Sequence, residues 1–494
     1  MVLEEKEEAL IDQNGGSAQT FGAVNRTRSS WKLYLCALTV DLLLVTFGTT
    51  VAWPSAIIPK LTSNDTDVNP LKAPITTLQV SIIVSTPCFA IIFSSCVAGK
   101  LVDILGRRRM LQCCSVFLIL TMTIIAFSKH VYFYYACQFV NGCILSAVLV
   151  TVPVYNNEIA TEKDRSWLGC VVSLGLPIGV LISYILGAVI TSFELFTLTS
   201  VIPSLLHLVL SYFIVETPMY LASKQRKREA LIVLKKLRTY KNDKDVYKEY
   251  EYIEDISTNH FGKKTNIFHI FTSRTSRKSL FICIIVTFTQ QISGISIILS
   301  FMVPIFTEAG AALSPNEISI LTGSIQLLVV ILVSLIVNKF GKRPLLLFSS
   351  FFCSISMLGI GLYFLLKSIE LPVYLQLRWL PVVCVITFII SYGLGLGSIP
   401  LGYIGELFKQ DLRTTGMGVA MLFGGVLVFV LDFGFPLLAE AYGIHVCMFL
   451  YGFATFSGFI LLLLFLPETR GESLKSIQRI IESKTIQLKV CGKS

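Results

Sequence analysis

Charge is scarce in this sequence. Only 15% of the 494 residues are Asp, Glu, Lys or Arg, while 54% are hydrophobic. A soluble globular protein of this length needs far more polar surface, so that class is excluded. Histidine is also rare, at five residues, and there is no Ser-His-Asp arrangement, metal-ligand spacing or phosphate-binding glycine loop. The chain therefore reads as no enzyme, and no cofactor or metal is implied. Cysteine is plentiful, at thirteen residues, but twelve lie in or beside apolar runs and Cys491 lies in the polar tail. No C-x-x-C occurs and no outer loop carries a pair, so neither a zinc site nor a disulfide framework is supported. A cleavable leader would begin basic and then turn apolar. Residues 1–31 are polar and begin with Glu4, Glu5, Glu7 and Glu8, so the first apolar run is expected to act as the membrane signal itself.

What the chain does have is apolar runs of membrane length. About 20 apolar residues cross a hydrocarbon core. Twelve such spans are predicted, near 33–58, 77–98, 110–128, 131–154, 167–190, 193–215, 279–306, 316–338, 345–366, 378–405, 414–438 and 444–466. They are continuous rather than alternating, which specifies helices and excludes a barrel. The one long interruption runs from Glu216 to Lys278 and carries fifteen Lys/Arg against eight Asp/Glu. Six spans precede it and six follow. With both termini placed in the cytoplasm, 36 of the 41 Lys/Arg fall on that side, leaving Lys60, Lys72, Lys129, Lys367 and Arg378 outside. That asymmetry sets the orientation. The positive excess then faces the anionic inner leaflet, and no nucleic-acid partner is needed. On this topology the loop after the first span presents Asn64-Asp65-Thr66 outside, as a glycosylation sequon.

The predicted fold class is an all-α membrane protein of twelve transmembrane helices in two pseudo-symmetric six-helix repeats. Its divisions are a cytoplasmic tail (1–31), an N-terminal bundle (32–215), a helical cytoplasmic linker (216–278), a C-terminal bundle (279–466) and a second cytoplasmic tail (467–494). Within the linker, Leu231, Leu234 and Leu237 recur at helical spacing among lysines, as in an amphipathic helix lying under the bundle. The halves repeat short signatures in the same order. VDILGRR (102–108) matches VNKFGKR (337–343). Tyr155, Glu158 and Arg165 match Tyr403, Glu406 and Arg413, and Glu216-Thr217 matches Glu468-Thr469. Internal duplication of a six-helix unit points to a transporter.

These elements, GKLVDILGRRR, PVYNNEIA with Arg165, ETPMYL, QQISGI, GELF with Arg413 and PETRGESL, resemble the sugar-porter family of the major facilitator superfamily. Within that family they are most similar to the insect facilitated trehalose and hexose transporters. The resemblance implies a carrier of a sugar or similar small polar solute, working as a monomer by alternating access in the plasma membrane. It also implies a latch at the cytoplasmic helix ends, formed by Asp103, Arg107, Arg108, Glu158, Arg165, Glu406 and Arg413. Asn338 replaces the family's aspartate in the second half, which weakens the latch there.

The positions that match the family's sugar site are Gln290, Gln291, Ser296, Ser300, Ser173 and Leu401. Several depart from the pattern. Ser296 stands for an asparagine, Ser300 and Phe301 for tyrosines, Leu401 for a tryptophan, Ser173 for a glutamine and Gln138 for an arginine. Gly424-Gly425 stands for Asn-Trp. These changes remove amides and aromatic faces that a polyhydroxylated ring uses, so a wider, less selective site is expected. Gln290 and Gln291 remain as the largest fixed donor-acceptor set. They lie about 100° apart on a helix, which favours one as the main contact. Thr50 stands where proton-coupled relatives carry an aspartate, and Asp41 lies half a turn round from it. Facilitative uniport is therefore expected, with two alternatives open: a non-transporting sugar sensor and a proton-coupled symporter.

Overall fold

The computed structural model describes residues 28–161, 163–239, 243–261, 274–408 and 413–468. The first half contains α1 (Trp31–Leu61), α2 (Thr77–Leu105), α3 (Arg107–Phe127), α4 (Val131–Ile159), α5 (Arg165–Val189), α6 (Phe193–Thr199) and α7 (Ile202–Leu210). The linker forms α8 (Pro218–Ser223), α9 (Lys227–Leu237) and α10 (Asp243–Phe261). The second half contains α11 (Arg274–Ile292), α12 (Ile295–Ala309), α13 (Pro315–Phe340), α14 (Lys342–Ser368), α15 (Val373–Gln376), α16 (Leu380–Leu394), α17 (Pro400–Leu407), α18 (Arg413–Tyr442) and α19 (Ile444–Phe465). Among the described residues, eleven segments are long and apolar enough to span a membrane, and α16 is a shorter apolar helix. The one ladder is a two-residue pair, β1 (Arg28–Ser29) with β2 (Arg238–Thr239), which ties the start of α1 to the linker.

Three runs expected as single helices are each broken in two. The sixth breaks between α6 and α7, where Pro203 at the start of α7 has no N–H to continue the preceding helix. The seventh breaks at Ser293-Gly294, with Gly294 left-handed at φ 85°. The tenth unwinds from Gly395 to Ile399, between α16 and α17. Its freed groups are satisfied locally, as a membrane interior requires. Gly397 N–H donates to the Tyr392 carbonyl at 2.7 Å, Leu396 N–H to Ser349 Oγ at 3.0 Å, and the Ser398 hydroxyl to the Gly393 carbonyl at 2.8 Å.

The duplication legible in sequence is repeated in space. Tyr155 donates its hydroxyl to the Val215 carbonyl at 2.7 Å, and Tyr403 donates to the Pro467 carbonyl at 2.6 Å. Each accepting carbonyl belongs to the residue before the matched glutamate. Gly106 and Gly341, the glycines of the two matched turns, share nearly one backbone conformation (φ 90° and 83°, ψ 161° in both).

Within the membrane the helices approach through small residues, because burial against lipid tails supplies no hydrophobic drive. A Cβ added at Gly179 of α5 would lie 2.0 Å from the Val45 carbonyl of α1, and one at Gly48 would lie 2.1 Å from the Leu176 carbonyl. The two halves meet where α2 packs on α18, α5 on α13 and α1 on α12. On the linker, α9 buries Ala230, Val233, Leu234 and Leu237 and leaves Leu231 half-buried, close to the amphipathic pattern expected. Arg238 then docks the linker, donating to the Ile159 carbonyl at 2.7 Å and to Glu249 at 3.3 Å.

Candidate functional site

A cavity of about 570 Å³ lies between the halves. It sits at the breaks of the seventh and tenth spans, so unwound backbone and its flanking side chains form part of the wall. From the first half it is lined by Thr50, Cys88, Gln138 and Ser173 among apolar side chains. From the second half come Gln290, Gln291, Ser296, Ser300, Gln326, Tyr392, Ser398 and Asp432. Five of the six expected substrate positions therefore line one cavity. The side chain of the sixth, Leu401, lies outside the described residues.

Several of these side chains have defined partners. Gln290 lies beside the Tyr392 hydroxyl of α16 and interacts with it, which leaves Gln291 as the freer amide of the pair. Gln291 packs where a Cβ on Gly424 would come within 3.4 Å of its Nε2. The tight neighbour of such a Cβ would be Thr287 Cγ2, at 2.9 Å, so the glycine that replaces the family's asparagine makes room for Thr287. Ser296 donates to both carboxylate oxygens of Asp432, at 2.7 and 2.9 Å. Ser300 donates to the Val51 carbonyl across the halves at 3.4 Å, and Ser173 to the Gly169 carbonyl of its own helix at 3.0 Å.

Beyond Gly294 the cavity is sealed on the face away from the linker. There Val303 N–H donates to Ser55 Oγ at 3.0 Å and the Tyr184 hydroxyl donates to the Leu299 carbonyl at 3.0 Å, both joining α12 to the first half. Thr50 lines the cavity, and its hydroxyl is turned back onto the Phe47 carbonyl at 2.8 Å. Asp41 is not a lining residue and is held by Asn156 of α4.

Three lining residues were not anticipated from sequence: Asp432, Gln326 and Tyr392. A signal did exist for Asp432, since an acidic residue inside an apolar span is a functional candidate by default. Gln326, an amide in an apolar run, carried a similar signal, whereas Tyr392 carried none, because only the tertiary packing turns it inward.

The charged cluster on the linker face is built within the first half. Arg107 Nη2 lies 2.9 Å from Glu158 and 3.3 Å from Asp103, and the Arg107 and Glu158 side chains are only 8% and 9% exposed. Glu216, absent from the expected latch, is its hub. Its carboxylate accepts the backbone N–H of Arg107 at 3.1 Å, of Arg108 at 3.2 Å and of Thr217 at 3.0 Å. A carboxylate capping the first turn of α3 is favoured by the helix dipole. Burial nonetheless lifts the Glu216 carboxyl above its usual pKa, against the pull of these N–H groups and of Arg107.

Arg108 differs from the latch expectation. Its guanidinium bonds the Ser211 and Tyr212 carbonyls instead of a carboxylate, because those chain ends lie beside the first turn of α3. Arg165 is exposed at the start of α5, and among the described residues no ion pair joins it to the cluster. The side chains of Glu406, Arg413 and Asn338 lie outside the described residues.

Comparison with known proteins agrees with this architecture. The family model described as "Sugar (and other) transporter" matches residues 39–481. The facilitated trehalose transporter Tret1 of Drosophila pseudoobscura pseudoobscura is 27% identical over 450 residues, which is 91% of this chain and 51% of the relative. The chain thus spans about half the length of that curated relative. The Tret1 of Culex quinquefasciatus is 26% identical over 400 residues, covering 80% of this chain and 74% of the relative. Among solved structures, the inward-open xylose transporter XylE from E. coli superposes with a TM-score of 0.74 at 18% identity, covering 91% of this chain and 99% of XylE. XylE bound to 6-bromo-6-deoxy-D-glucose gives 0.69 at 17% identity, covering 92% and 100%. At these identities the structures speak to the fold alone. The family match extends over most of the chain, and its members are carriers rather than enzymes. This multi-pass membrane protein belongs to the sugar (and other) transporter family.

Proposed function

We propose that the protein carries a sugar, a hexose or a trehalose-like disaccharide, across the plasma membrane by alternating access. In this reading the bundles 32–215 and 279–466 rock as units about the cavity, in a monomer. The observation that supports it most is the cavity itself. It lies between the halves at the broken helices, and its amide pair, Gln290 and Gln291, can both donate to and accept from a hydroxyl. The cluster of Arg107, Asp103, Glu158 and Glu216 then braces the first half as it moves, and Arg165, Glu406 and Arg413 complete a latch with it.

The linker face is read as cytoplasmic from the Lys/Arg distribution. Asn64, exposed in the loop after α1, then lies outside and carries glycan. Glycosidase should lower the apparent mass of the cell-expressed protein, and Asn64→Gln should abolish that shift. A shift that persists in Asn64→Gln would remove this support for the orientation.

The test of transport is uptake and counterflow of radiolabelled trehalose and glucose into liposomes holding the purified protein. Saturable exchange of either sugar is expected. A folded, correctly inserted protein that exchanges neither would favour a sugar sensor. One observation points that way. The Ser296 and Ser300 hydroxyls, at positions where the family contacts sugar, are spent on Asp432 and Val51.

A further inference from the structure

Asp432 is the one carboxylate among the described residues of the cavity wall, and nothing there matches its charge. Among the lining residues there is no Lys, Arg or His. The residue is 2% exposed. Its two oxygens share a single hydroxyl, that of Ser296, and Oδ2 also receives the weak thiol donor of Cys88 at 3.4 Å. An ionised carboxylate has about four acceptor positions. Inside a membrane protein, one hydroxyl and one thiol do not offset the loss of water around a bare charge. The group must hold either a proton or a cation. Its near-complete enclosure bars a solute-borne cation and admits a proton.

The surroundings of Asp432 show what could alter that charge. Packed against α18 are α2, α11, α12, α17 and α19. From α2 comes Cys88. From α19 comes Tyr451, which interacts electrostatically with Asp432 and with Cys447 behind it. Ser296 of α12 and Gln291 of α11 do not titrate, and among the described residues α17 makes no contact with the carboxylate. Cys88 belongs to the first half, whereas Ser296 and Asp432 belong to the second. The Cys88–Asp432 contact therefore bridges the α2–α18 seam, and rocking of the halves parts it and lets water reach the carboxylate.

We propose that Asp432 is a proton-binding site that couples solute transport to proton movement. With the α2–α18 seam closed the carboxyl is neutral. When the seam opens, the O–H bond on the carboxyl breaks and the proton passes to water. The same bond re-forms from water on the other side of the cycle, and no electrons move. A carrier with no carboxylate of α1 lining its cavity thereby places its coupling group in the second half. The proposal rests on the carrier reading above, and its test includes a measurement that needs no sugar.

That measurement is hydrogen exchange of the α2 and α18 segments in liposome-embedded protein, from acidic to mildly alkaline pH, after correction for intrinsic exchange rates. The unaltered protein should lose protection along the seam as pH rises. Asp432→Asn should stay protected throughout, and Asp432→Glu should retain the transition. An unaltered protein with no transition, or Asp432→Asn with the same transition, would overturn the proposal. Should Asp432→Asn fail to fold, Ser296→Ala keeps the carboxylate and removes its main donor. The midpoint must then move, and an unmoved midpoint also overturns it.

In the transport arm, trehalose is the probe. An inward proton gradient should drive accumulation by up to about tenfold per pH unit for one proton. Asp432→Asn should lose that accumulation, and whatever sugar it admits should only equilibrate. Accumulation by Asp432→Asn equal to that of the unaltered protein would overturn coupling. A complete absence of trehalose exchange would instead remove the proposed substrate, and the hydrogen-exchange result would still decide the role of Asp432.

Discussion

Asn156 Nδ2 donates to Asp41 Oδ1 at 2.8 Å, locking α1 to α4 inside the first half. Both residues are buried, at 2% and 4% exposure. The one carboxylate in the first span is therefore a structural acceptor, turned away from the wall on which Thr50 lies. Asn156→Leu should strip that acceptor of its donor and cost about 1–3 kcal/mol, read as a lower thermal midpoint in detergent. Asp41→Asn keeps the shape, so it should leave the pH profile of transport unmoved. A collapsed profile in that variant would move the coupling group to α1.

Arg107 is the one cation within the buried part of the linker-face cluster. Arg107→Ala leaves Glu158 enclosed without its ion pair, and loss of one partner of a buried pair costs on the order of 3–5 kcal/mol. Glu158→Gln should cost less, since the amide still accepts from Arg107 and bears no charge. Thermal midpoints should therefore order as unaltered, Glu158→Gln, Arg107→Ala. Alongside stability, an engineered cysteine near the linker-face mouth should change its accessibility in Arg107→Ala. Midpoints in the reverse order would show the cluster to be a solvated turn.

Gln291 is the freer amide of the pair, since Gln290 lies against the Tyr392 hydroxyl. If the protein carries a sugar, Gln291→Leu should lose a hydrogen bond worth about 1 kcal/mol, or roughly a fivefold rise in KM, with expression unchanged. Gln290→Leu should act more on stability, by removing the amide that lies beside the Tyr392 hydroxyl. Unaltered KM in both variants would place the sugar elsewhere.

Asp164 ties the start of the described chain to the turn between α4 and α5. It accepts hydroxyls from Ser29 and Thr161, and that of Tyr34 at 2.9 Å. Burial on its own would lift the Asp164 pKa, but these hydroxyls and the Arg238 charge hold it below the usual value. A carboxyl depressed on folding stabilises above its unfolded pKa, about 3.9. That contribution is lost as pH falls through the folded value. Exchange at residues 28–30 should therefore rise only below about pH 4, and Asp164→Ala should show the same rise at neutral pH. A release already complete near pH 6 would assign the tether to another group.

The sequence carried the fold because the bilayer makes its demands locally. Each span must be long, apolar and internally hydrogen-bonded, so twelve runs and a charged interruption read directly as helices and a linker. Short matched signatures gave the duplication, and the Tyr155 and Tyr403 bonds repeat it in space. The glutamines at 290 and 291 stood out for a similar local reason. An amide in an apolar run is costly unless it is used.

What sequence could not decide is which partner each polar group finds. Nothing local says that Gln290 meets Tyr392 or that Ser296 is committed to Asp432. Nor does it say that Glu216, more than a hundred residues on, caps the helix opened by Arg107. These contacts join residues distant along the chain, and they depend on how the breaks at Gly294 and Gly395 aim the half-helices. Asp41 and Asp432 look alike in sequence, each a lone acid in an apolar span. Tertiary packing separates them, setting one against an asparagine within a bundle and the other on the seam between the two halves. A charge in a membrane is costly wherever it sits, and only the fold decides which donors it meets and whether the surface it lies on can part.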